Sequence, residues 1–108
     1  MEIFGLNNKT ILITGASSGI GKAMAIACAQ AGAKCIISGR NIERLNATLN
    51  DLVGDDHQAI AADLTIEDDI QLLINALPKI DGFLSNAGIA DSNPGTETLQ
   101  VVYSYPMW

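Results

Sequence analysis

Three glycines occur in the segment Thr14-Gly15-Ala16-Ser17-Ser18-Gly19-Ile20-Gly21, at a spacing that could bind a phosphate group. The segment joins an apolar run to an alanine-rich helical pattern. Gly15 permits a sharp exit from a strand, where a Cβ would obstruct the turn. Gly19 lets backbone N–H groups approach a pyrophosphate, and Gly21 lets the helix pack closely on its strand. The unpaired N–H groups and the dipole of a helix N-terminus favour an anion there. The segment therefore predicts a dinucleotide site.

The spacing leaves an alternative open. It is Gly-x-x-x-Gly-x-Gly rather than the commoner Gly-x-Gly-x-x-Gly of dinucleotide folds. A triple-glycine pattern alone is weak evidence, and an ordinary glycine-rich turn between a strand and a helix could produce it. The strand-like and helix-like flanks favour the phosphate-binding interpretation.

Composition limits the remaining possibilities. The chain has 108 residues, of which 48% are hydrophobic and 5% aromatic, so we expect at most one domain with an aliphatic core. A net charge of −6 argues against partners such as nucleic acid or anionic membranes. Two cysteines, Cys28 and Cys35, make no disulfide framework and are expected to be small buried hydrophobes. His57 has no second ligand at metal-binding spacing, so no metal site is predicted. The sequence shows no signal peptide and no membrane span, and we expect a cytoplasmic protein.

The apolar periodicity predicts a β-α-β-α-β-α-β order. Strands are expected at 9–14, 35–37, about 58–62 and 80–85. The first helix, over 19–31, has a candidate buried face of Ile20, Met24, Ala27 and Ala31. Asn41 and Thr65 are the candidate N-caps of the second and third helices. The third helix has a candidate buried stripe of Ile66, Ile70, Leu73, Ile74 and Leu77.

This alternation indicates an α/β fold of the Rossmann-like, doubly wound type. Its parallel sheet has about four strands in the expected order 3-2-1-4. A ligand would lie at the carboxyl ends of strands 1 and 4, and strand 4 would be an exposed edge. Residues 1–90 form the predicted dinucleotide-binding domain. Residues 91–108 have a loop composition followed by a short apolar end, and we expect an irregular tail there.

Three segments together resemble the short-chain dehydrogenase/reductase family. They are Thr14-Gly-Ala-Ser-Ser-Gly-Ile-Gly21, Ala62-Asp63-Leu64-Thr65 and Ser85-Asn86-Ala87-Gly88. The first matches the family pattern T-G-x-x-x-G-x-G, and the last matches N-N-A-G with Ser85 in place of the first asparagine. The resemblance covers roughly residues 3–89, and it implies the N-terminal, cofactor-binding half of such an enzyme.

The resemblance implies a role for each matching position. The residues expected to line the pyrophosphate and ribose are Gly15, Ser17, Ser18, Gly19, Ile20 and Gly21. Asp63 would meet the adenine amino group, with Leu64 on the ring; the alternative for Asp63 is a plain loop acid before a helix. Asn86, Ala87 and Gly88 would border the nicotinamide ribose and steady strand 4.

Arg40 bears on the choice of cofactor. An NAD site usually has an acid at the end of strand 2, but this chain has Gly39-Arg40-Asn41 there. Arginine can pair with a 2′-phosphate that an acid would repel. In this family the pattern resembles that of NADP(H) enzymes, with Arg40 and Asn41 beside the cofactor. A solvent-exposed arginine without a ligand is the alternative.

The family's serine and its Tyr-x-x-x-Lys pair have no counterpart here. Tyr103 is followed four residues later by Met107, and the last lysine is Lys79. We therefore expect no catalytic residue in this chain, and we interpret it as a truncated or frameshifted product or as a fragment. An intact relative would reduce a carbonyl or oxidise an alcohol by hydride transfer, and would form homo-oligomers. A 3-oxoacyl-carrier-protein reductase is one candidate. A non-catalytic nucleotide-binding or interaction module and a decayed product remain alternatives.

Overall fold

The computed structural model describes residues 5–17, 19–87 and 98–103. Eight elements make up this part of the chain: β1 (Thr10–Thr14), α1 (Gly19–Gln30), β2 (Lys34–Gly39), α2 (Ile42–Asp51), β3 (Gln58–Ala61), α3 (Glu67–Ala76), β4 (Gly82–Ala87) and β5 (Thr98–Tyr103). The predicted β-α-β-α-β-α-β order is confirmed: the short apolar runs form the parallel strands, and the amphipathic or alanine-rich segments between them form the helices.

The first four strands are parallel, in the predicted order 3-2-1-4. In the centre of the sheet, Leu12 of β1 lies between Ile36 of β2 and Phe83 of β4. On the far side of β2, Ile37 pairs with Ala59 of β3. The winding therefore reverses between β1 and β4, and all four carboxyl ends lie at one edge of the sheet.

A fifth strand corrects two expectations. The full order is β3-β2-β1-β4-β5, and β5 runs antiparallel to β4, with Leu84 opposite Val101. Strand 4 is therefore an interior strand, because β5 satisfies the ladder that would otherwise be open. Residues 98–103 are also not irregular. The division of the chain into a domain over 1–90 and a tail over 91–108 stays a prediction.

The two faces of the sheet carry separate cores. One core joins α1 and α2 to the sheet through fully buried side chains such as Ile13, Ile37 and Leu45. The other lies under α3 and contains Leu12, Ile36, Ala62 and Leu73. Successive side chains of a strand point to opposite faces, so β1 and β2 contribute to both cores.

The predicted buried face of α1 is wrong, and that of α3 is wrong in part. The buried residues of α1 are Gly21, Ala25, Cys28 and Ala29, whereas Ile20 is 41% exposed. Nearly every residue of α1 is small or apolar, so the period could not fix its rotation. In α3 only Leu73 is buried, while Ile66 and Ile74 are 48% and 53% exposed.

One of the two predicted N-caps is confirmed. Asn41 Oδ1 accepts a hydrogen bond from the Arg44 N–H at 3.1 Å and begins α2. The N-cap of α3 is Ile66 rather than Thr65, and it has no side-chain cap bond. The Thr65 hydroxyl is committed to Asp63 instead, at 2.6 Å.

Candidate functional site

The turn after β1 is the central feature of the predicted site. Gly15 follows the last residue of β1 with φ +68°, and Gly19 begins α1 with φ +63°. Both values lie in the left-handed region that glycine adopts without steric cost. The turn therefore depends on glycine at these two positions, and it places the start of α1 directly beyond the carboxyl end of β1.

Gly21 brings the helix close to the turn and to β4. A Cβ at residue 21 would overlap the Gly15 carbonyl O and would lie 3.0 Å from Asn86 Nδ2. A Cβ on Gly15 would in turn overlap the Asn86 carbonyl O. Asn86 Nδ2 donates to the Gly15 carbonyl O at 3.4 Å. The close packing expected of Gly21 and the neighbourhood of Asn86 are thus present together.

Two further hydrogen bonds hold the same turn. The Ala16 N–H donates to the carbonyl O of Ser38 in β2 at 3.1 Å. The Thr48 hydroxyl of α2 donates to the Ala16 carbonyl O at 3.0 Å. Ala16 and Thr48 are both fully buried. Hydrogen bonds to β2 and from α2 therefore hold the turn in its conformation independently of any ligand.

The end of β2 lies beside this turn. A Cβ on Gly39 would lie 3.5 Å from Ser17 Oγ, so the Ser17 side chain is next to the last residue of β2. Arg40 and Asn41 follow and are both exposed to solvent. Of these two, Asn41 already caps α2 through its side chain. The Arg40 guanidinium is therefore the group that brings positive charge to the end of β2.

Asp63, just beyond the end of β3, is held in an ordered loop. Its Oδ1 accepts hydrogen bonds from the Thr65 N–H at 2.9 Å and from the Thr65 hydroxyl at 2.6 Å. The Asp63 N–H donates to Asp69 Oδ2 at 2.8 Å. The two Thr65 donors, and then the charge of Arg40, lower the pKa of the Asp63 carboxyl. Asp63 is thus a fixed anionic acceptor, beside Leu64, which is 42% exposed.

Buried polar groups converge where β1, β2 and β4 end. The Thr14 hydroxyl donates to Ser85 Oγ at 3.4 Å, so serine at this position still bridges the two strands. Asn86 is 5% exposed and Ser38 is fully buried. Within the described part of the chain, no protein donor or acceptor reaches Asn86 Oδ1 or Ser38 Oγ. Buried polar atoms without a hydrogen-bond partner are uncommon in folded proteins, and a functional role is one of the recognised reasons for them.

The predicted site residues therefore gather at one edge of the sheet. The segments concerned are the glycine turn after β1, Arg40 and Asn41 after β2, Asp63 and Leu64 after β3, and Asn86 and Ala87 at the end of β4. Ser18 and Gly88 lie outside the described residues. The backbone of Ala87 is described as the last residue of β4.

This edge, and the order of strands behind it, match a known family. The family model described as short chain dehydrogenase matches residues 9–103. The chain belongs to this family. The match extends past residue 90, so it includes β5 as well as the four parallel strands.

Two curated relatives are each matched over part of their length. An uncharacterized oxidoreductase, Lmo0432 of Listeria monocytogenes, is 39% identical over 95 residues, which cover 82% of this chain and 38% of that protein. The 3-oxoacyl-[acyl-carrier-protein] reductase FabG of Rickettsia bellii is 42% identical over 84 residues, covering 78% of this chain and 34% of that protein. The chain thus spans well under half the length of these relatives.

Solved structures of the same family share the fold of this chain. A short chain dehydrogenase/reductase family protein superposes with a TM-score of 0.73 and 36% identity, covering 82% of this chain and 36% of that one. The Pseudomonas aeruginosa RhlG/NADP active-site complex superposes with a TM-score of 0.69 and 34% identity, covering 79% of this chain and 36% of that one.

Thr48 and Ser38 are two residues near the site that were not predicted from the sequence. Thr48 has a signal in the sequence, because it stands three residues after Leu45 and four before Leu52 on the buried stripe of α2. A polar residue at such a position needs a buried partner. Ser38 has no comparable signal, since it sits at the end of an apolar strand where small residues are common.

A shallow cleft of about 470 Å³ opens elsewhere, at the amino ends of the strands. Its lining includes Asn7, Lys34, Gly54 and His57. Ligands of open α/β sheets bind at the carboxyl ends of the strands, so this cleft is not the candidate site. Among the described residues, no three side chains form a metal-binding cluster, and no helix is long and apolar enough to cross a membrane.

Proposed function

We propose that this chain is the NADP(H)-binding portion of a short-chain oxidoreductase, with the cofactor at the carboxyl edge of the sheet. The observation that supports this most is the glycine turn, in which Gly15 and Gly21 leave no room for a Cβ next to Asn86. A turn packed in this way presents backbone N–H groups at the start of α1, where a pyrophosphate is stabilised.

The other residues fit the remaining parts of the cofactor. Asp63, held anionic by Thr65 and Arg40, is an acceptor for the adenine amino group, and Leu64 offers an apolar surface for the ring. The unpartnered Oδ1 of Asn86 lies on the β4 side of the turn, where the nicotinamide ribose is expected. The nicotinamide, when bound, supplies or accepts the hydride.

Arg40 favours the phosphorylated cofactor in this proposal. Its exposed guanidinium is at the end of β2, where an NAD site would have an acid. A guanidinium can hold a 2′-phosphate by charge-assisted hydrogen bonds. The overall charge of −6 repels such a ligand, so this local cation matters more than it would in a neutral chain.

Calorimetric titration of the 108-residue chain with NADPH and NADH tests the proposal. We expect NADPH to bind more tightly than NADH, and Arg40→Met to weaken NADPH roughly tenfold while leaving NADH almost unchanged. Arg44→Met is the matched control, because Arg44 is also an exposed arginine and lies nearby, in the first turn of α2. Equal losses of NADPH affinity in the two variants would contradict a 2′-phosphate contact at Arg40. If the wild-type chain binds neither NADPH nor NADH, the proposed site is refuted.

The chemistry of the whole enzyme is a further part of the proposal. A carbonyl reduction or alcohol oxidation fits the family, and the resemblance to 3-oxoacyl-[acyl-carrier-protein] reductases makes a 3-oxoacyl thioester the first substrate to test. Such turnover needs a chain that supplies the serine and the Tyr-x-x-x-Lys pair. In a longer chain that carries these residues, NADPH binding without turnover of a 3-oxoacyl thioester would favour a nucleotide-binding module. Failure of the 108-residue chain to bind NADPH would favour a decayed product.

A further inference from the structure

Thr48 makes a long-range hydrogen bond that the helix around it does not need. Its hydroxyl donates to the Ala16 carbonyl O at 3.0 Å, across 32 residues of sequence, and its side chain is fully buried. A threonine inside a helix commonly bonds the carbonyl three or four residues earlier. The bond to Ala16 instead ties α2 to the glycine turn.

This bond fixes the direction of a peptide group within the turn. In a trans peptide, the carbonyl and the following N–H point in opposite directions. Because the Ala16 carbonyl O points to Thr48 in α2, the N–H of Ser17 is turned away from α2. The N–H of Ala16 is held as well, because it donates to the Ser38 carbonyl O at 3.1 Å. The orientation of the Ser17 N–H is thus determined by Thr48 and Ser38 together.

We propose that Thr48 is a positioning residue for pyrophosphate binding: it acts through the Ala16 carbonyl to orient the N–H groups of the glycine turn. This inference rests on the proposed function. A pyrophosphate is common to NADPH and NADH, whereas Arg40 addresses a group that only NADPH carries. Loss of the Thr48 hydroxyl therefore weakens both cofactors by the same factor and leaves the ratio of their affinities unchanged.

The test compares Thr48→Val, which keeps the shape and removes the hydroxyl, with Thr48→Ser, which keeps the hydroxyl. Titration with NADPH and with NADH should show a roughly three- to tenfold weakening of both for the valine variant. The serine variant should bind like the wild type. Wild-type affinity in the valine variant would overturn the inference, and so would a loss confined to NADPH. If the valine variant does not fold, Thr48→Cys, whose thiol is only a weak donor, is expected to show the same loss.

A second measurement separates positioning from stability. Leu49→Ala removes a partly buried side chain of the same helix that packs against the same core, and it leaves the hydroxyl that donates to the Ala16 carbonyl O in place. At a temperature where circular dichroism shows every variant folded, this variant should bind both cofactors normally. Equal weakening by Leu49→Ala and Thr48→Val would overturn the positioning role.

Failure of the proposed function has a different signature. If the wild-type chain binds neither cofactor, the proposed site is wrong whatever Thr48 does. The amide NMR spectrum then decides the inference about the turn. The resonance of Ser17 should move in Thr48→Val and stay in place in Leu49→Ala, and an unmoved Ser17 resonance in the valine variant would contradict it.

Discussion

Replacing Gly21 with alanine is the sharpest test of the close approach between α1 and the turn after β1. The added Cβ would overlap the Gly15 carbonyl O, and it would lie 2.7 Å from the Gly15 carbonyl carbon and 3.0 Å from Asn86 Nδ2. Two of these three atoms belong to the backbone, so no side-chain rotation relieves the overlap. The start of α1 must move away from β1 and β4.

The expected cost follows from two opposing effects. Overpacking of a close-packed site costs about 1–3 kcal/mol, and a backbone overlap belongs at the upper end. Alanine gains about 1 kcal/mol over glycine in a helix. The difference leaves Gly21→Ala about 2 kcal/mol less stable than the wild type, which lowers the melting temperature by about 10 °C in a domain of this size.

Gly39→Ala is the matched control. At Gly39 the nearest atoms to an added Cβ are Leu45 Cδ2 at 3.4 Å and Ser17 Oγ at 3.5 Å, which are close to ordinary contacts. Neither Gly21 nor Gly39 has a left-handed backbone, so backbone strain does not contribute to the difference in stability between the two alanine variants. Urea unfolding followed by circular dichroism should place Gly39→Ala within about 0.5 kcal/mol of the wild type. Equal midpoints for the two variants would refute the close approach.

Three further predictions concern groups away from the turn. Burial, and secondarily the charge of Cys28, raise the pKa of the Cys35 thiol from 9.0 to about 12. The folded chain should therefore resist alkylation of Cys35 at pH 8, and its free energy of unfolding should fall as the pH rises from 9 towards 12. Rapid alkylation without denaturant would contradict the burial of this thiol. Ile37→Ala should cost about 2–5 kcal/mol in urea unfolding, because Ile37 is fully buried, while Ile74→Ala at 53% exposure should cost less than about 1 kcal/mol. His57→Ala should cost about 1–3 kcal/mol, since His57 Nδ1 accepts the Cys35 N–H at 3.0 Å; a neutral result would show that this N–H finds another partner.

Local patterns were sufficient to predict the parallel part of the sheet. Each strand before residue 88 is an apolar run bounded by turn residues, and alternation with helices leaves few permitted topologies. The capping role of Asn41 was equally local, because an asparagine side chain can reach the N–H three residues later.

The remaining features depend on contacts that the sequence does not display. The rotation of α1 is set by Gly21 against Gly15 and Asn86, whereas its small apolar residues allow several faces. The strand β5 forms by antiparallel pairing with β4, and the sequence of its six residues gives no sign of its partner. The role of Thr48 depends on a carbonyl 32 residues earlier in the chain.

The candidate site was predictable to the extent that it follows the strand ends. Glycines at strand-to-helix turns, the cation after β2 and the acid after β3 are recognisable one at a time. Their convergence follows from the parallel sheet. The unpartnered Asn86 Oδ1 was not predictable, because it depends on which donors the folded chain leaves within reach.

Amide NMR of the ¹⁵N-labelled chain, titrated with NADPH, shows directly where the cofactor binds. We expect the largest shifts for the resonances of Gly15, Ser17 and Gly21, together with those of Arg40 and Asp63 at the neighbouring strand ends. A titration in which these resonances stay fixed, or in which the shifts appear instead at Lys34 and His57 beside the opposite cleft, would contradict it.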